Sequence, residues 1–216
     1  MKVKKDSYNK KEVSEATLRR FHFYHHYLKQ LEKDGIKEIS SAQIAKFLGF
    51  NTIQVRKDIE ATKIEGKPKR GYNLKKLISA IEKFLGFYTK NEAILVGAGH
   101  LGYALLGYHG FKEYGVDIIA AFDNNPERVN KFINYKRVFS IDRLEEIISR
   151  MQIKIGILTV PVSVAQELAD RMVKVGIKAI WNFAPLKINV PKDVVVQNEN
   201  LASSLAVLSQ KIKCLD

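Results

Sequence analysis

Apolar residues recur at three- and four-residue spacing over the first 86 residues and gather into short continuous runs afterwards. That change of period divides the chain into a helical part and an alternating strand–helix part. Residues 1–12 are polar and lysine-rich, an arm with nothing to bury. Ser14 caps a helix running to about Lys33, with Leu18, Phe21, Tyr24, Leu28 and Leu31 on one face and Gly35 as its stop. Residues 36–39 are extended. Ser40 and Gln43 have the spacing of a capping box and open a short helix whose apolar positions are Ile44, Ala45, Phe47 and Leu48, ended by Gly49. Asn51, with Gln54 three residues on, caps a helix over 52–64, whose core face holds Val55, Ile59 and Thr62. Residues 65–72 form a glycine- and proline-containing turn. Asn73 then caps a helix bearing Leu74, Leu77, Ile78, Ile81, Phe84 and Leu85, closed by Gly86.

From residue 93 the pattern becomes strand, helix, strand. The run 93–96 reads as a buried strand, and Gly97-Ala98-Gly99-His100-Leu101-Gly102 follows it as G-x-G-x-x-G. A helix begins at Tyr103 and ends near His109-Gly110. A second apolar run over 116–122 closes on Asp123, and Asn125-Pro126-Glu127 opens a polar helix. A weaker strand lies near 135–139 and a helix over 141–150, capped by Ser140. A strong strand at 153–160 is stopped by Pro161, a helix at 163–175 is ended by Gly176, and strands follow at 179–183 and 194–196. This order predicts a parallel, doubly wound sheet. The last segment carries Leu201, Leu205, Leu208 and Ile212 as a helical stripe. Such a helix packs either on its own sheet or on a second subunit.

Charge sharpens the division. The net charge is +13; residues 1–90 carry 21 Lys and Arg against 10 Asp and Glu, and residues 91–216 carry 15 against 13. Such asymmetry points to a polyanionic partner for the first part, or to a basic solubilising surface. The length of 216 residues allows one large domain or two modest ones. No apolar stretch reaches a membrane span, the N-terminus lacks an apolar signal core, and Cys214 is a lone cysteine. These features place the chain in the cytoplasm without a disulfide.

Two capped helices joined by a glycine turn form a helix-turn-helix pattern. The second helix is the reader: Arg56 suits a guanine edge and Gln54 an adenine edge, while Thr52 and Lys57 suit phosphates. With Ser41 and Asn51 at the helix starts, and Lys67, Lys69 and Arg70 on a basic wing, these are the candidate DNA contacts. The plain alternatives are a solvated amphipathic helix and an exposed basic linker. His22, His25 and His26 lie at i, i+3 and i+4, but no Cys or carboxylate pattern completes a metal site, so no metal is expected.

The glycine turn suits a pyrophosphate. Gly97 allows the sharp turn, Gly99 permits close approach, Gly102 brings the helix against the sheet, and the helix N-terminus meets the phosphates. Asp123, 21 residues after Gly102, stands where a dinucleotide fold holds the adenosine ribose, with Asn124 beside it. A carboxylate there repels the extra phosphate of NADP, so NAD(H) is the expected ligand. The alternative is an Asp that caps the turn after its strand. Residues at the carboxyl ends of the later strands, Thr159, Val160, Pro161, Asn182, Phe183, Ala184 and Pro185, complete the expected cofactor surroundings. A dehydrogenase needs a positioned acid or base and a substrate domain; His100 and His109 are the only histidines here, and no further domain follows. A repressor whose second domain serves only dimerisation, or senses another nucleotide, is the third reading.

Gln54-Val55-Arg56-Lys57-Asp58, Gly97–Gly102 and Asn182-Phe183-Ala184-Pro185, in that order, resemble the Rex family of redox-sensing transcriptional repressors over about residues 14–212. The resemblance implies an α/β protein: a winged helix-turn-helix domain over 1–86, a Rossmann NAD(H) domain over 87–198, and a terminal helix over 199–216 swapped across a homodimer. It implies binding to palindromic operator DNA when NADH is scarce, and release as NADH rises. It implies that Tyr108 helps sense the nicotinamide, and that Arg20 lies near an arginine that reaches an acid of the partner. Two positions depart from the family pattern. The wing reads Gly-Lys-Pro-Lys-Arg-Gly-Tyr, and the usual acid before the terminal helix is Asn200. An amide forms no ion pair, so Asn200→Asp is expected to sharpen NADH-driven release.

Overall fold

Side-chain caps begin most helices of the first part, as their residue types predict. The computed structural model describes residues 13–68 and 70–212. The lysine-rich arm at 1–12, the candidate contact Lys69 and the lone Cys214 lie outside the described residues. The chain divides into two units, 1–88 and 89–216.

In the first unit α1 (Glu15–Lys33) is capped by Ser14, α2 (Ser41–Leu48) by the reciprocal Ser40–Gln43 box, α3 (Thr52–Ala61) by Asn51 and α4 (Leu74–Leu85) by Asn73. Asn51 accepts from the N–H groups of Ile53 and Gln54, but the Gln54 side chain does not return to close a second box. The core joins Phe21, Tyr24 and Leu28 of α1 to Ile44, Val55, Ile59, Leu77 and Ile81. Leu18 and Phe47, placed on apolar faces by their spacing, are exposed; Phe47 stacks on Tyr27 at 3.9 Å. β1 (Glu38–Ile39) pairs antiparallel with β2 (Tyr72–Asn73), and the Lys67 and Gly71 backbones bridge the hairpin between α3 and β2. Four helices with a small sheet and hairpin are the winged helix-turn-helix form.

The second unit has β3 (Asn91–Val96), α5 (His100–Gly107), α6 (Gly110–Glu113), β4 (Val116–Asp123), β5 (Phe132–Ile133), β6 (Lys136–Ser140), α7 (Leu144–Met151), β7 (Ile155–Leu158), α8 (Val162–Lys174), β8 (Ala179–Asn182), β9 (Val195–Asn198) and α9 (Leu201–Ile212). The sheet order is β5-β6-β4-β3-β7-β8-β9, parallel except for β5 against β6. Alternate residues of β3 enter opposite layers. Ala93 and Leu95 pack with Leu106 of α5, while Ile94 and Val96 pack with Ile147 of α7 and Leu168 of α8. Helices thus cover both faces, and the chain crosses from one side of β3 to the other between β6 and β7, the switch point of a Rossmann sheet.

The polar helix expected from Asn125 does not form. Arg128 and Val129 both donate to the Asn125 carbonyl, making one turn. Asn130 then takes a left-handed conformation and its N–H donates to the Val138 carbonyl, leading into the β5–β6 hairpin. Asn134 and Tyr135, both at positive φ, form that hairpin's tip, so Tyr135 is a turn residue. The expected helix at 141–150 begins as a 3-10 turn, Ile141–Arg143, capped by Ser140. Among the described residues, no helix is long and apolar enough to cross a membrane.

Candidate functional site

The three glycines of the 97–102 turn have different reasons to be glycine. Gly97 has φ +99°, and a Cβ there would stand 2.6 Å from the Thr159 carbonyl oxygen. At Gly102 a Cβ would collide with the Gly97 carbonyl oxygen and press on Leu95 and Thr159. Both are demanded by the protein's own packing. Gly99, which precedes α5 in extended backbone at φ −68°, is not: its nearest neighbour would be Arg128 Nη1 at 3.9 Å. A missing Cβ that no protein neighbour requires fits the close approach of a pyrophosphate. The N-terminus of α5, with His100 exposed, lies next to it.

Asp123 ends β4, buried to 5% exposure. Its Oδ2 accepts from the Ala98 N–H at 2.7 Å and its Oδ1 from the Asn125 N–H at 2.8 Å. It therefore caps the turn after β4 and also braces the glycine loop. Arg128 Nη1 stands 3.3 Å from Oδ2. This arginine, over both Asp123 and Gly99, was missed by sequence reasoning because it sits in the expected polar helix. Thr159 donates its hydroxyl to the Gly97 carbonyl at 2.7 Å, across the switch point. Val160 is half-buried, Pro161 and Asn124 are exposed, and Ala98 is buried.

Asn182 is fully buried. Its Nδ2 reaches the carbonyls of Ala184 and Leu186 and the Asn198 side chain, and its Oδ1 accepts from the Ala184 N–H. The amide proposed as a cofactor neighbour thus shapes the Phe183-Ala184-Pro185 turn from behind, because both its ends are held by the protein. Tyr108, at the end of α5, is 57% exposed and lies edge-on to Phe111 at 4.8 Å.

In the first unit Thr52, Arg56 and Lys57 are exposed along α3, and Arg56 pairs loosely with Glu60 at 3.7 Å. Ser41 is half-buried in the first turn of α2. Ile53, 56% exposed on α3, was overlooked; an apolar side chain on a reader helix suits a thymine methyl. Beneath this surface Asp58 is 3% exposed. Arg20 grips both its oxygens at 2.7 and 2.9 Å, the Tyr24 hydroxyl donates at 2.8 Å, and Gln54 donates at 2.9 Å. Burial pushes the Asp58 carboxyl up, but the hydrogen bonds of Arg20, Tyr24 and Gln54 outweigh it and hold it below its ordinary value. Burial, together with Asp58, raises the Tyr24 phenol.

Two side chains singled out in the sequence meet at Asp58. Gln54 donates one amide N–H to Asp58, a bond that uses neither its second N–H nor its oxygen. Arg20 is paired with Asp58 of its own unit. Asn200 caps α9, accepting from the Ser203 N–H at 2.9 Å. Asn200→Asp keeps the cap, and the sharper NADH-driven release expected of it is read in operator titrations. On the wing, Lys67 and Arg70 are exposed; the backbones of Lys67 and Gly71 donate to each other's carbonyls. No His, Cys, Asp or Glu group suited to a metal occurs among the described residues. His25 instead meets Glu82 at 3.0 Å.

A reader helix with a basic hairpin, and a Rossmann crevice with an unclaimed glycine, define a DNA-binding protein governed by a nucleotide. Family models agree on both halves: residues 12–59 match "Putative DNA-binding protein N-terminus" and residues 89–186 match "CoA binding domain". The redox-sensing transcriptional repressor Rex of Treponema denticola is 50% identical over 192 residues, 89% of this chain and 91% of its own. That of Carboxydothermus hydrogenoformans is 42% identical over 201 residues, 93% and 97% of the two chains. The crystal structure of RSP with NAD+ and operator DNA matches at a TM-score of 0.89 and 38% identity, covering 94% of each chain. RSP with NADH matches at 0.84 and 38% identity, covering 94% of this chain and 95% of that one. The chain belongs to the Rex family of redox-sensing transcriptional repressors.

Proposed function

We propose that this chain is a cytoplasmic homodimeric repressor that holds a palindromic operator while NADH is scarce and releases it when NADH enters the Rossmann crevice. The observation that carries the cofactor half is Gly99, whose missing side chain serves no packing need of the protein. The backbone at 97–102 and the α5 N-terminus receive the pyrophosphate. Asp123 and Asn124 face the adenosine ribose, and Thr159 to Pro161, Phe183 to Pro185 and Tyr108 surround the nicotinamide end. NADH supplies the redox signal through its occupancy; no hydride transfer by the chain is required. DNA contact falls to Arg56, Lys57, Thr52 and Ile53 of α3, with Lys67, Lys69 and Arg70 on the backbone. Ser41 and Asn51 stand at the helix starts.

Dimerisation is supported by α9. None of its residues is buried, and Leu201, Leu205, Leu208 and Ile212 are each about 60% exposed or more. An apolar stripe of this kind fits a second copy of the chain, where α9 exchanges between protomers.

The direct test titrates a palindromic duplex, selected from a random-sequence pool, with NADH and separately with NAD+ at fixed salt, with sedimentation velocity for the oligomer. Release by NADH alone supports the reading; binding indifferent to both removes the sensor and leaves the repressor. Two further outcomes follow. Arg128→Ala is expected to weaken NADH by about fivefold, as one partly exposed charge-assisted hydrogen bond is removed, read by nicotinamide fluorescence. Lys67→Ala with Arg70→Ala is expected to weaken all duplexes alike and to lower the slope of log affinity against log salt by about 1 for each phosphate no longer neutralised.

A further inference from the structure

Trp181 is the single tryptophan of the chain. It stands on β8, half-buried, between two groups of different kind. On one side its ring meets Phe111 edge-on at 5.6 Å and Phe183 at 4.5 Å. Phe111 in turn carries Tyr108 at 4.8 Å. On the other side the indole N–H donates to Glu199 Oε1 at 3.2 Å, an oxygen that also accepts from Gln197 Nε2 at 3.2 Å. The Glu199 backbone is itself fastened, its N–H donating to the Asn182 carbonyl at 2.8 Å. The next residue, Asn200, is the cap of α9. One unbroken set of contacts therefore joins the end of α5 to the first turn of α9.

We propose that the Trp181–Glu199 hydrogen bond is the link through which occupancy of the nicotinamide end resets α9. The inference rests on the cofactor reading above. Tyr108 is 57% exposed, and in the cofactor reading it borders the nicotinamide end, where a bound ring displaces it or holds it. Phe111 and Trp181 are flat and packed edge to face, an arrangement that turns a shift of one ring into a shift of the next. Trp181 then keeps or loses its alignment with Glu199, a side chain at the junction where the sheet ends and α9 begins. In one state Glu199 ties that junction to β8; in the other the junction is free to follow α9. Each state is a discrete hydrogen-bonding arrangement, and a ligand that favours one moves the population of the other. Trp181 and Glu199 are positioning residues: neither needs to touch the cofactor or DNA.

Contiguity is not coupling, so the test measures coupling itself. Full-length Trp181→Phe, Glu199→Ala, Glu199→Gln and the double variant Trp181→Phe/Glu199→Ala are compared with the unaltered chain. Three constants are read for each: operator affinity without cofactor, NADH affinity without DNA, and operator affinity at saturating NADH. Trp181→Phe keeps a ring and removes the donor. Glu199→Gln keeps an acceptor oxygen. The expected result is that Trp181→Phe and Glu199→Ala hold the first two constants within about twofold while cutting the NADH-driven loss of operator affinity by about fivefold or more. The double variant is no worse than either single one, and Glu199→Gln retains the response. A full NADH response in both single variants overturns the proposal, as does an additive double variant. An unaltered chain that ignores NADH removes the cofactor reading as well, and is recognised before any variant is made.

Discussion

Gly99→Val is expected to leave a folded, operator-binding protein that NADH no longer dislodges. The residue has extended backbone that valine adopts, and its Cβ meets no protein atom closer than 3.9 Å. Loss of glycine before the first turn of α5 costs about 1 kcal/mol at most, within what a domain tolerates. The isopropyl group instead fills the space that a pyrophosphate needs. NADH affinity is expected to fall by about 100-fold or more. Two measurements check this: NADH raises the melting temperature of the unaltered chain but not of the variant, and NADH releases operator only from the former. Gly102→Val is the contrasting variant. Its Cβ collides with the Gly97 carbonyl, so it disrupts the turn itself and lowers stability without any ligand. If Gly99→Val still released operator at the same NADH concentration, the pyrophosphate would lie elsewhere.

Asp58→Ala is expected to abolish operator binding while sparing the NADH crevice. It strips Arg20 of its counter-charge and leaves the buried Tyr24 hydroxyl without its acceptor. Breaking a buried pair from one side costs about 3–5 kcal/mol, a large share of what a small domain has. The reader helix loses its anchor to α1, 38 residues away in sequence. Calorimetry should show the transition of the first unit lowered and that of the second unchanged. The sign of the pH dependence follows from the lowered carboxyl. The stabilisation is present above the ordinary Asp value of about 3.9 and is lost as pH falls through the lower native value. Asp58→Asn keeps the shape but not the charge and is expected to fall between the two. A first unit that melts unchanged in Asp58→Ala would show the network to be ornamental.

Much of this was legible because it is local. Ser14, Ser40 with Gln43, Asn51 and Asn73 cap helices through atoms two or three residues away, and the residue types alone announce them. The glycine turn is legible for the same reason, with strand, turn and helix contiguous. Where the reading failed, a partner was remote. Asn125-Pro126-Glu127 has good helix-opening chemistry, yet pairing of β6 with β4 draws the chain into a hairpin instead. Local propensity is weak against a sheet edge that satisfies whole strands. The Arg20–Asp58 pair was not legible because 38 residues separate its members.

By itself, then, the sequence determined the order of the elements, the two-part division by charge and period, and the pyrophosphate turn, because each depends on neighbours along the chain. Only the tertiary structure decided which polar groups face outward. It buried Asp58 under Arg20 and Tyr24, set Arg128 over Gly99, turned Asn182 inward and joined Trp181 to Glu199. The physical reason is that a buried polar group must find its hydrogen bonds wherever folding brings a partner, and for Arg20, Tyr24 and Trp181 that partner lies 38, 34 and 18 residues away.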